Sequence, residues 1–282
     1  MNEQELCKKR LIDLSKQANR KGIVLFSDFL NLNELNIYHQ SESLFETKTE
    51  SFGGVPYAER QIIAFIPDAL YLRDSNEENA RIEGAFDYCR EQEKHDLRVS
   101  HCCYEWNYPI AALRIVPAYP KFAEKLGHRD ILGAIMKLGV DRSKIGDIII
   151  DDGVYYLLCE ENIADYFRKN LDKIRHTIVK IEECAPDKLT ITHEMEEKDG
   201  IITSNRLDSV IACVHKLSRS QALELFRQEK VFVNGKMTTN ATYSCHTDDI
   251  ISVRGYGRFI YLSEHGETNK GRLKFKYNLY KN

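Results

Sequence analysis

The sequence has no apolar run of about 18 or more residues, the length that a membrane-spanning helix needs. Its first residues, MNEQELCKKRLIDLSKQ, are charged throughout and lack the apolar centre of a signal peptide. The 43% of hydrophobic and 29% of charged residues are ordinary for a soluble globular protein with buried cores. We therefore expect a cytoplasmic protein that has no membrane partner.

None of the eight cysteines forms a C-x-x-C pair, the spacing typical of zinc ribbons and thioredoxin-like redox sites. Only Cys102 and Cys103 are adjacent, and scattered thiols are typical of a reducing compartment. His101 beside Cys102 supplies two neighbouring metal ligands, but no second pair completes a site. The expectation is free thiols, no bound metal and no cofactor.

The formal net charge of −3 is unevenly distributed. From Arg206 to the end there are 13 Lys and Arg against 7 Asp and Glu, whereas residues 1–205 have 27 against 36. A basic end on an acidic body favours a polyanionic partner for one domain only. A chance asymmetry would give the same counts, so charge alone leaves both interpretations open.

The apolar pattern predicts an α+β protein of three domains. Residues 1–76 are expected to form a small α/β domain with two helices, the second over 26–35, and a strand at 62–66. Residues 185–200 are predicted to be a linker or an exposed hairpin, and residues 201–282 a third domain. The middle domain, residues 77–184, has the order β-α-β-β-α-β of ferredoxin-like and RRM-like folds. Its strands are expected at 110–116, 148–150, 155–158 and 178–181, and its helices at 121–138 and 162–174.

RRM domains stack bases on aromatic side chains of their sheet. Tyr155 and Tyr156 are adjacent aromatics on a middle strand, but no RNP signature surrounds them. Side chains alternate between the two faces of a strand, so at most one of the pair points to an open face. The competing interpretation is that one tyrosine is core and the other is surface.

The C-terminal region predicts two short helices followed by a hairpin. Residues from Leu207 to Leu217 are spaced as one helical face, and Ser218 with Gln221 forms a capping box for a second helix that ends near Glu229. Asn234-Gly235 after the strand 231–233 is a strong hairpin signal. Arg219 beside a helix N-terminus, with further cations nearby, favours phosphate contact over solvated surface.

These residues resemble the RNA-binding domain named after ribosomal small-subunit protein four, the alpha-L motif. The match rests on RLD at 206–208, LSRSxA at 217–222, VxVNG at 231–235 and DxIxV at 249–253. The resemblance implies that RNA is contacted by Arg206, Ser218, Arg219, Arg227, Lys230, Asn234 and Lys236. Two departures occur where that family favours glycine, because this chain has Glu229 and Asp248 there. Those turns are expected to be strained, and Glu229 adds a negative charge.

Further motifs resemble the YlmH family of ribosome-associated RNA-binding proteins. They are GGxxxAER at 53–60, GHRDxLGA at 127–134, IGDI at 145–148, VRGxGRF at 253–259 and KGR at 270–272. The resemblance implies a non-catalytic factor that binds rRNA of the large ribosomal subunit and tRNA, with no small-molecule substrate. It also implies ribosome-associated quality control, in which stalled chains are alanine-tailed, and other quality-control factors as partners.

Three basic residues outside the alpha-L set have two open interpretations each. Arg129 either contacts RNA or pairs with a charge at the start of a helix. Arg254 and Arg258 flank Gly255-x-Gly257, where the backbone either approaches phosphate or only turns through positive φ. We retain all three arginines as candidate RNA contacts.

The alternative function is an rRNA-modifying enzyme. Arg206-Leu207-Asp208 resembles the short motif of the catalytic aspartate in pseudouridine synthases. Those enzymes usually place the RNA-binding domain before the catalytic one, and here little chain follows Asp208. Asp208 is therefore expected to cap or pair within the first helix, and the protein is expected not to be an enzyme.

Overall fold

The computed structural model describes residues 2–55, 58–70, 106–151, 153–184, 195–269 and 271–280. The chain divides into two compact units, Met1–Thr192 and His193–Asn282. Both the predicted N-terminal domain and the predicted middle domain lie in the first unit, so the division into three domains stays a prediction. No helix in the described ranges is long and apolar enough to cross a membrane.

The N-terminal part of the first unit is two helices against a three-stranded antiparallel sheet. The strand order is β1-β3-β2, and the predicted strand at 62–66 is confirmed as β3. The second helix begins at Leu32, later than predicted, because the Asn31 side chain accepts from the Asn33 and Glu34 amides. The elements are α1 Glu3–Lys21, β1 Leu25–Phe26, α2 Leu32–Ser41, a 3₁₀ turn at Glu42–Leu44, β2 Lys48–Phe52 and β3 Ile62–Ile66.

The middle part confirms the predicted β-α-β-β-α-β order. Its antiparallel sheet has the order β5-β6-β4-β8-β7, the arrangement of a ferredoxin-like fold with one short extra strand. The elements are β4 Ile110–Pro117, α3 His128–Lys137, β5 Ile145–Asp151, β6 Val154–Glu160, α4 Glu161–Asn170, β7 Lys173–Ile174 and β8 Thr177–Cys184, with 3₁₀ turns at Pro120–Phe122 and Arg142–Lys144.

Helix α3 begins at His128 and not at Lys121, because tertiary contacts use the preceding amides. The Glu124 N–H donates to Thr177 Oγ1 at 3.1 Å, and the Leu126 N–H donates to the Tyr155 hydroxyl at 3.0 Å. The helix start is then fixed by the Asp130 carboxylate, which accepts from the Gly127 N–H at 2.9 Å. Apolar spacing alone does not reveal these long-range hydrogen bonds, so it placed the start of the helix too early.

The two faces of this sheet have different coverings. Helices α3 and α4 pack on the face that carries Tyr155, and Tyr155 is buried in that core. On the other face, Val55 and Ala58 of the N-terminal part pack against Ala112, Ile149 and Leu158, with half-buried Tyr156 beside them. The interpretation of Tyr155 as a base-stacking residue is therefore wrong, and the chain itself covers much of the face that RRM domains use.

Close backbone approach explains the glycines of two motifs. A Cβ on Gly54 would lie 3.0 Å from Ile110 Cγ2, and the φ of Gly54 is +92°. A Cβ on Gly146 would lie 2.8 Å from the Phe29 ring. A side chain at Gly146 would clash with Phe29, and one at Gly54 would be both crowded and strained by the positive φ. Glycine at the two positions therefore permits the N-terminal part to pack on the middle sheet.

Arg60 completes the same junction. Its backbone N–H and that of Glu59 donate to the Asp147 carboxylate at 3.2 and 2.6 Å. The Arg60 side chain is buried, and its burial lowers the pKa of the guanidinium from its ordinary value. The GGxxxAER and IGDI motifs therefore join two parts of the first unit. The guanidinium donates to the carbonyl oxygens of Phe29, Arg142 and Ile145.

The second unit is a six-stranded antiparallel sheet with two helices on one face. The strand order is β11-β10-β12-β13-β14-β9. Val210, Val214 and Phe226 of the helices pack against Ile251 and Phe259 of the sheet in one buried cluster. The elements are β9 Met195–Ile202, α5 Leu207–Val214, α6 Arg219–Arg227, β10 Val231–Val233, β11 Lys236–Met237, β12 Ile250–Val253, β13 Gly257–Glu267 and β14 Leu273–Tyr280.

Part of the predicted linker belongs to this sheet. Residues 195–200 begin β9, which pairs with β14 along its whole length. A Cβ on Gly200 would lie 2.3 Å from the Phe275 ring, so the strand passes directly over a core aromatic. The charged sequence was compatible with a linker or an exposed hairpin, but it did not indicate pairing with β14, because that partner lies at the far end of the unit. Residues 185–194 lie outside the described part of the chain.

Positive φ angles occur where the turn chemistry required them. Asn234 and Gly235 have φ of 50° and 77°, and they join β10 to β11 in the predicted hairpin. Glu229 and Asp248, at the two positions where glycine is favoured, have φ of 54° and 68°. The expected backbone strain is therefore present at both turns.

Candidate nucleic-acid interface

The start of α6 presents backbone donors and an arginine to solvent. Ser218 Oγ accepts from the Gln221 N–H at 3.2 Å, and Gln221 Oε1 accepts from the Ser218 N–H at 2.9 Å, which confirms the capping box. Arg219, the first helical residue, is exposed. A helix N-terminus attracts anions, and a guanidinium beside it adds a bidentate donor for phosphate.

The other end of α6 is less purely basic. Arg227 Nη1 lies 3.3 Å from Glu224 Oε2, and both side chains are largely exposed. Glu229, also exposed, follows in the left-handed turn. Arg227 and Glu224 partly neutralise each other, so Arg219 is the stronger candidate of the two arginines for a phosphate contact.

Arg206 pairs with the aspartate of the RLD motif. Its Nε and Nη2 donate to the two carboxylate oxygens of Asp208 at 3.0 and 3.2 Å. The Asp208 side chain is 2% exposed, whereas that of Arg206 is 42% exposed. The carboxylate is thus enclosed within the unit, and the guanidinium has one face toward solvent, where it could still meet a phosphate.

Asn234 is engaged in an internal hydrogen-bond network. Its Nδ2 donates to Asp249 Oδ1, and its Oδ1 accepts from the Ile250 N–H, both at 2.8 Å. Asp249 also accepts from the Tyr243 hydroxyl at 2.9 Å. Burial, followed by this bond to Asp249, raises the pKa of Tyr243 to about 12. The predicted RNA contact by Asn234 stays a prediction, since its amide already fixes the hairpin.

The structure separates the remaining predicted cations. The Arg254 N–H donates to the Lys230 carbonyl at 3.0 Å, so these two residues are neighbours. The Arg254 guanidinium lies 5.2 Å from the centroid of the Phe232 ring. Lys236 pairs with Val233 across the adjoining hairpin and is exposed. Lys230 and Arg254 therefore lie at one end of β10, whereas Lys236 lies on the edge strand β11, beside the other end of β10.

Arg258 lies on the sheet face away from the helices. Its register partner Ser252 pairs in turn with Phe232, and neither belongs to the core under α5 and α6. The guanidinium stacks 4.0 Å from the centroid of the Tyr280 ring. The Arg254 guanidinium, over the Phe232 ring, lies on this face too. The predicted set therefore divides between the face of Arg254 and Arg258 and the helical face of Arg219.

Tyr256 was missed by the sequence analysis. It lies at the tip of the turn between β12 and β13, is 45% exposed, and has its ring centroid 5.6 Å from that of His215. An aromatic between glycines and flanked by Arg254 and Arg258, in the order RGYGR, is the pattern of a base-stacking residue with adjacent phosphate donors. That signal was available in the sequence.

Arg129 lies in the first unit, in the first turn of α3, and is exposed. The neighbouring Asp130 carboxylate caps the helix and lies 3.6 Å from Arg175 Nη1. No cluster of three or more His, Cys, Asp or Glu side chains suited to a metal ion occurs among the residues described. His101, Cys102 and Cys103 lie outside those residues.

Three comparisons relate the chain to known proteins. Residues 105–188 match the family model described as "Putative RNA-binding domain in YlmH". The chain is 30% identical over 158 residues to "Ribosome-associated protein quality control protein P2" of Bacillus subtilis (strain 168), covering 55% of this chain and 62% of that protein. "Cell division protein ylmH from Streptococcus pneumoniae" is a similar solved structure with 17% identity and a TM-score of 0.44, over 66% of this chain and 93% of that one.

The family-model match confirms, for residues 105–188, the resemblance to the YlmH family that the motifs indicated. The matched model lies outside residues 201–282, so the alpha-L assignment of the second unit stays a prediction. The aligned part spans 62% of the length of the Bacillus relative. Residues 105–188 are thus similar to the RNA-binding domain of YlmH, and about half of the chain is similar to the Bacillus protein.

Proposed function

We propose that this chain is a non-catalytic RNA-binding factor that associates with the large ribosomal subunit. It binds rRNA and peptidyl-tRNA, together with other quality-control factors, while stalled nascent chains are alanine-tailed. Support comes from the Bacillus relative, whose name states a role in ribosome-associated protein quality control. Support also comes from the matched domain, whose description names RNA binding.

The observation that carries the proposal is the basic surface of the second unit, which extends over more than one face. Arg219 lies at a capped helix start, Lys230 and Arg254 are neighbours at one end of β10, and Lys236 lies on the edge strand β11. The region from Arg206 onward has 13 Lys and Arg against 7 Asp and Glu. Phosphate contacts of this kind supply affinity and position a protein on RNA without reading its sequence.

The geometry around Asp208 gives no support to the enzyme alternative. Both carboxylate oxygens face Arg206, and the side chain is 2% exposed. A base-modifying enzyme has to admit a flipped base to its catalytic group through a pocket. Asp208 instead acts as an internal partner of Arg206 at the start of α5.

Ribosome association provides the test. Full-length protein should co-sediment with the large subunit in a sucrose gradient, more strongly when the subunits carry stalled peptidyl-tRNA. Arg219→Ala combined with Arg254→Ala should release it at lower salt, because each lost phosphate contact reduces the salt dependence by about one ion. Arg272→Ala combined with Lys274→Ala, two exposed cations of the same unit, is the matched control for loss of two charges.

Two results would contradict the proposal. Co-sedimentation that is unaffected by the double substitution would show that the basic surface does not hold the ribosome. An rRNA modification that is missing in cells without the protein, and that Asp208→Asn fails to restore, would favour the enzyme. Mass spectrometry of rRNA nucleosides measures that second result.

A further inference from the structure

One end of the middle sheet carries an unusual group of exposed aromatic side chains. Phe122 is 86% exposed and Tyr119 is 64% exposed, both around the 3₁₀ turn that follows β4. Ile178, at the start of β8, is 51% exposed. A fully solvated phenylalanine is unfavourable in water, so a cluster of this kind indicates a surface that binds something.

This segment is held in place by three hydrogen bonds. The Ala118 N–H donates to the Ile178 carbonyl at 2.9 Å, and the Phe122 N–H donates to the Tyr119 carbonyl at 3.1 Å. The Glu124 N–H donates to Thr177 Oγ1 at 3.1 Å. The two aromatic side chains therefore project from a backbone that is anchored to β8, and little ordering would be needed on binding.

The charges around the aromatic pair favour an anion. Lys121 and Lys125 flank Phe122, and both are exposed. Glu124 and Asp130, the nearby acids along this segment, face Arg175 at 3.7 and 3.6 Å. The acids are thus partly neutralised, while the two lysines remain available beside the rings, although the first 205 residues as a whole are acidic.

Much of the usual RNA surface of an RRM-like sheet is covered in the described part of this unit. Val55 and Ala58 pack on Ala112, Ile149 and Leu158. An RNA-binding domain folded in this way has to use another surface for bases. Exposed aromatics interleaved with lysines form such a surface, because bases of any sequence stack on rings while cations contact the phosphates.

We propose that Tyr119 and Phe122 stack on unpaired bases of single-stranded RNA, and that Lys121 and Lys125 contact the adjoining phosphates. This proposal rests on the RNA-binding function proposed above and assigns the base-contacting surface of residues 105–188. It differs from the C-terminal basic surface in predicting a preference for single strands. Duplex RNA hides the base faces and offers phosphates alone.

The test measures RNA binding by the full-length chain with fluorescence anisotropy. The probes are a labelled oligoadenylate of about 12 nucleotides and an RNA duplex of about the same length. Phe122→Ala should weaken binding of the single strand at least about fivefold and leave the duplex unchanged. Phe122→Trp should retain single-strand binding, whereas Phe122→Leu, which keeps apolar area without a ring, should lose it.

Leu44→Ala is the control, because it removes an exposed apolar side chain from elsewhere in the same unit. Unchanged single-strand binding by Phe122→Ala and Tyr119→Ala would overturn the inference. If Arg219→Ala combined with Arg254→Ala weakened RNA binding in that case, the proposed function would hold and only this inference would fail. If Phe122→Leu retained single-strand binding, Phe122 would make an apolar contact and not a stacking contact, and the inference would be wrong. A loss of ribosome co-sedimentation without any loss of RNA binding would assign the patch to a protein partner.

Discussion

Replacing Arg206 by Ala should destabilise the second unit more than replacing Asp208 by Asn. The two side chains form a bidentate pair in which Asp208 is 2% exposed and Arg206 is 42% exposed. Loss of the guanidinium leaves a carboxylate inside the unit with no cation. Asp208→Asn instead keeps the shape and one acceptor oxygen, and leaves the cation where water can reach it.

The geometry of the pair sets the scale of the stability that each substitution should cost. Breaking a fully buried pair costs about 3–5 kcal/mol, and the solvent-facing guanidinium places this site near or below the lower end of that range. We expect about 2–3 kcal/mol for Arg206→Ala. Asp208→Asn loses one charge-assisted hydrogen bond and places the new amide NH₂ opposite an N–H donor of Arg206. We therefore expect this substitution to cost about 1–2 kcal/mol of stability.

Hydrogen exchange with mass spectrometry suits this measurement, because it reports on peptides of α5 and β12 separately from the first unit. The single tryptophan, Trp106, lies in the first unit, so its fluorescence during urea unfolding is an internal control that should not change. A loss of 2 kcal/mol corresponds to roughly a 30-fold drop in protection. The double variant should cost less than the sum of the single ones.

Strict additivity of the two substitutions would refute this reasoning. So would an Arg206→Ala variant within about 0.5 kcal/mol of the wild type, the range of ordinary surface substitutions. Either result would mean that water, and not Arg206, stabilises the Asp208 carboxylate. If Arg206→Ala also reduced RNA binding at full stability, the exposed face of the guanidinium would be identified as a phosphate contact.

Three further predictions concern the same unit. Arg219→Ala should lower the salt dependence of RNA binding by about one ion, and Arg227→Ala should lower it by less. Glu224→Gln should strengthen RNA binding in anisotropy titrations, because it frees Arg227 from its ion pair. Glu229→Gly should raise the free energy of unfolding by roughly 0.5–1 kcal/mol in urea titrations, because it relieves a φ of 54°, and an unchanged midpoint would contradict this. Burial lowers the pKa of His215 in the folded protein. As the pH falls, this imidazole is therefore protonated in the unfolded chain before it is protonated in the folded one. Stability should therefore fall as the pH drops below about 6.5, and His215→Phe should reduce that fall.

Local sequence signals determined the short elements well. The Ser218 capping box and the Asn234-Gly235 hairpin form as predicted, because each depends on hydrogen bonds or φ angles within a few residues. The strand at 62–66 and the order of the middle domain follow from apolar periodicity. The true start of α3 does not, since the Thr177 and Tyr155 hydroxyls compete for its upstream amides.

The candidate site was predicted in residue type more than in arrangement. Arg219 is exposed at a capped helix start, which propensity and charge can indicate. That Arg258 lies on the other sheet face depends on the register of β12 with β13. That Asn234 is engaged by Asp249 depends on a loop closure across 15 residues.

The sequence by itself determined an acidic body with a basic end, capped helices, an NG hairpin and motifs that resemble those of the YlmH family. Only the tertiary structure decided which surfaces remain free to bind. Val55 and Ala58 pack on the middle sheet, where Gly54 and Gly146 permit close approach, and so cover much of the face where an RRM would stack bases. Phe122 is left exposed beside β8 by hydrogen bonds whose partners lie far apart in the chain. Burial is a property of such distant contacts, and no local pattern of residues records it.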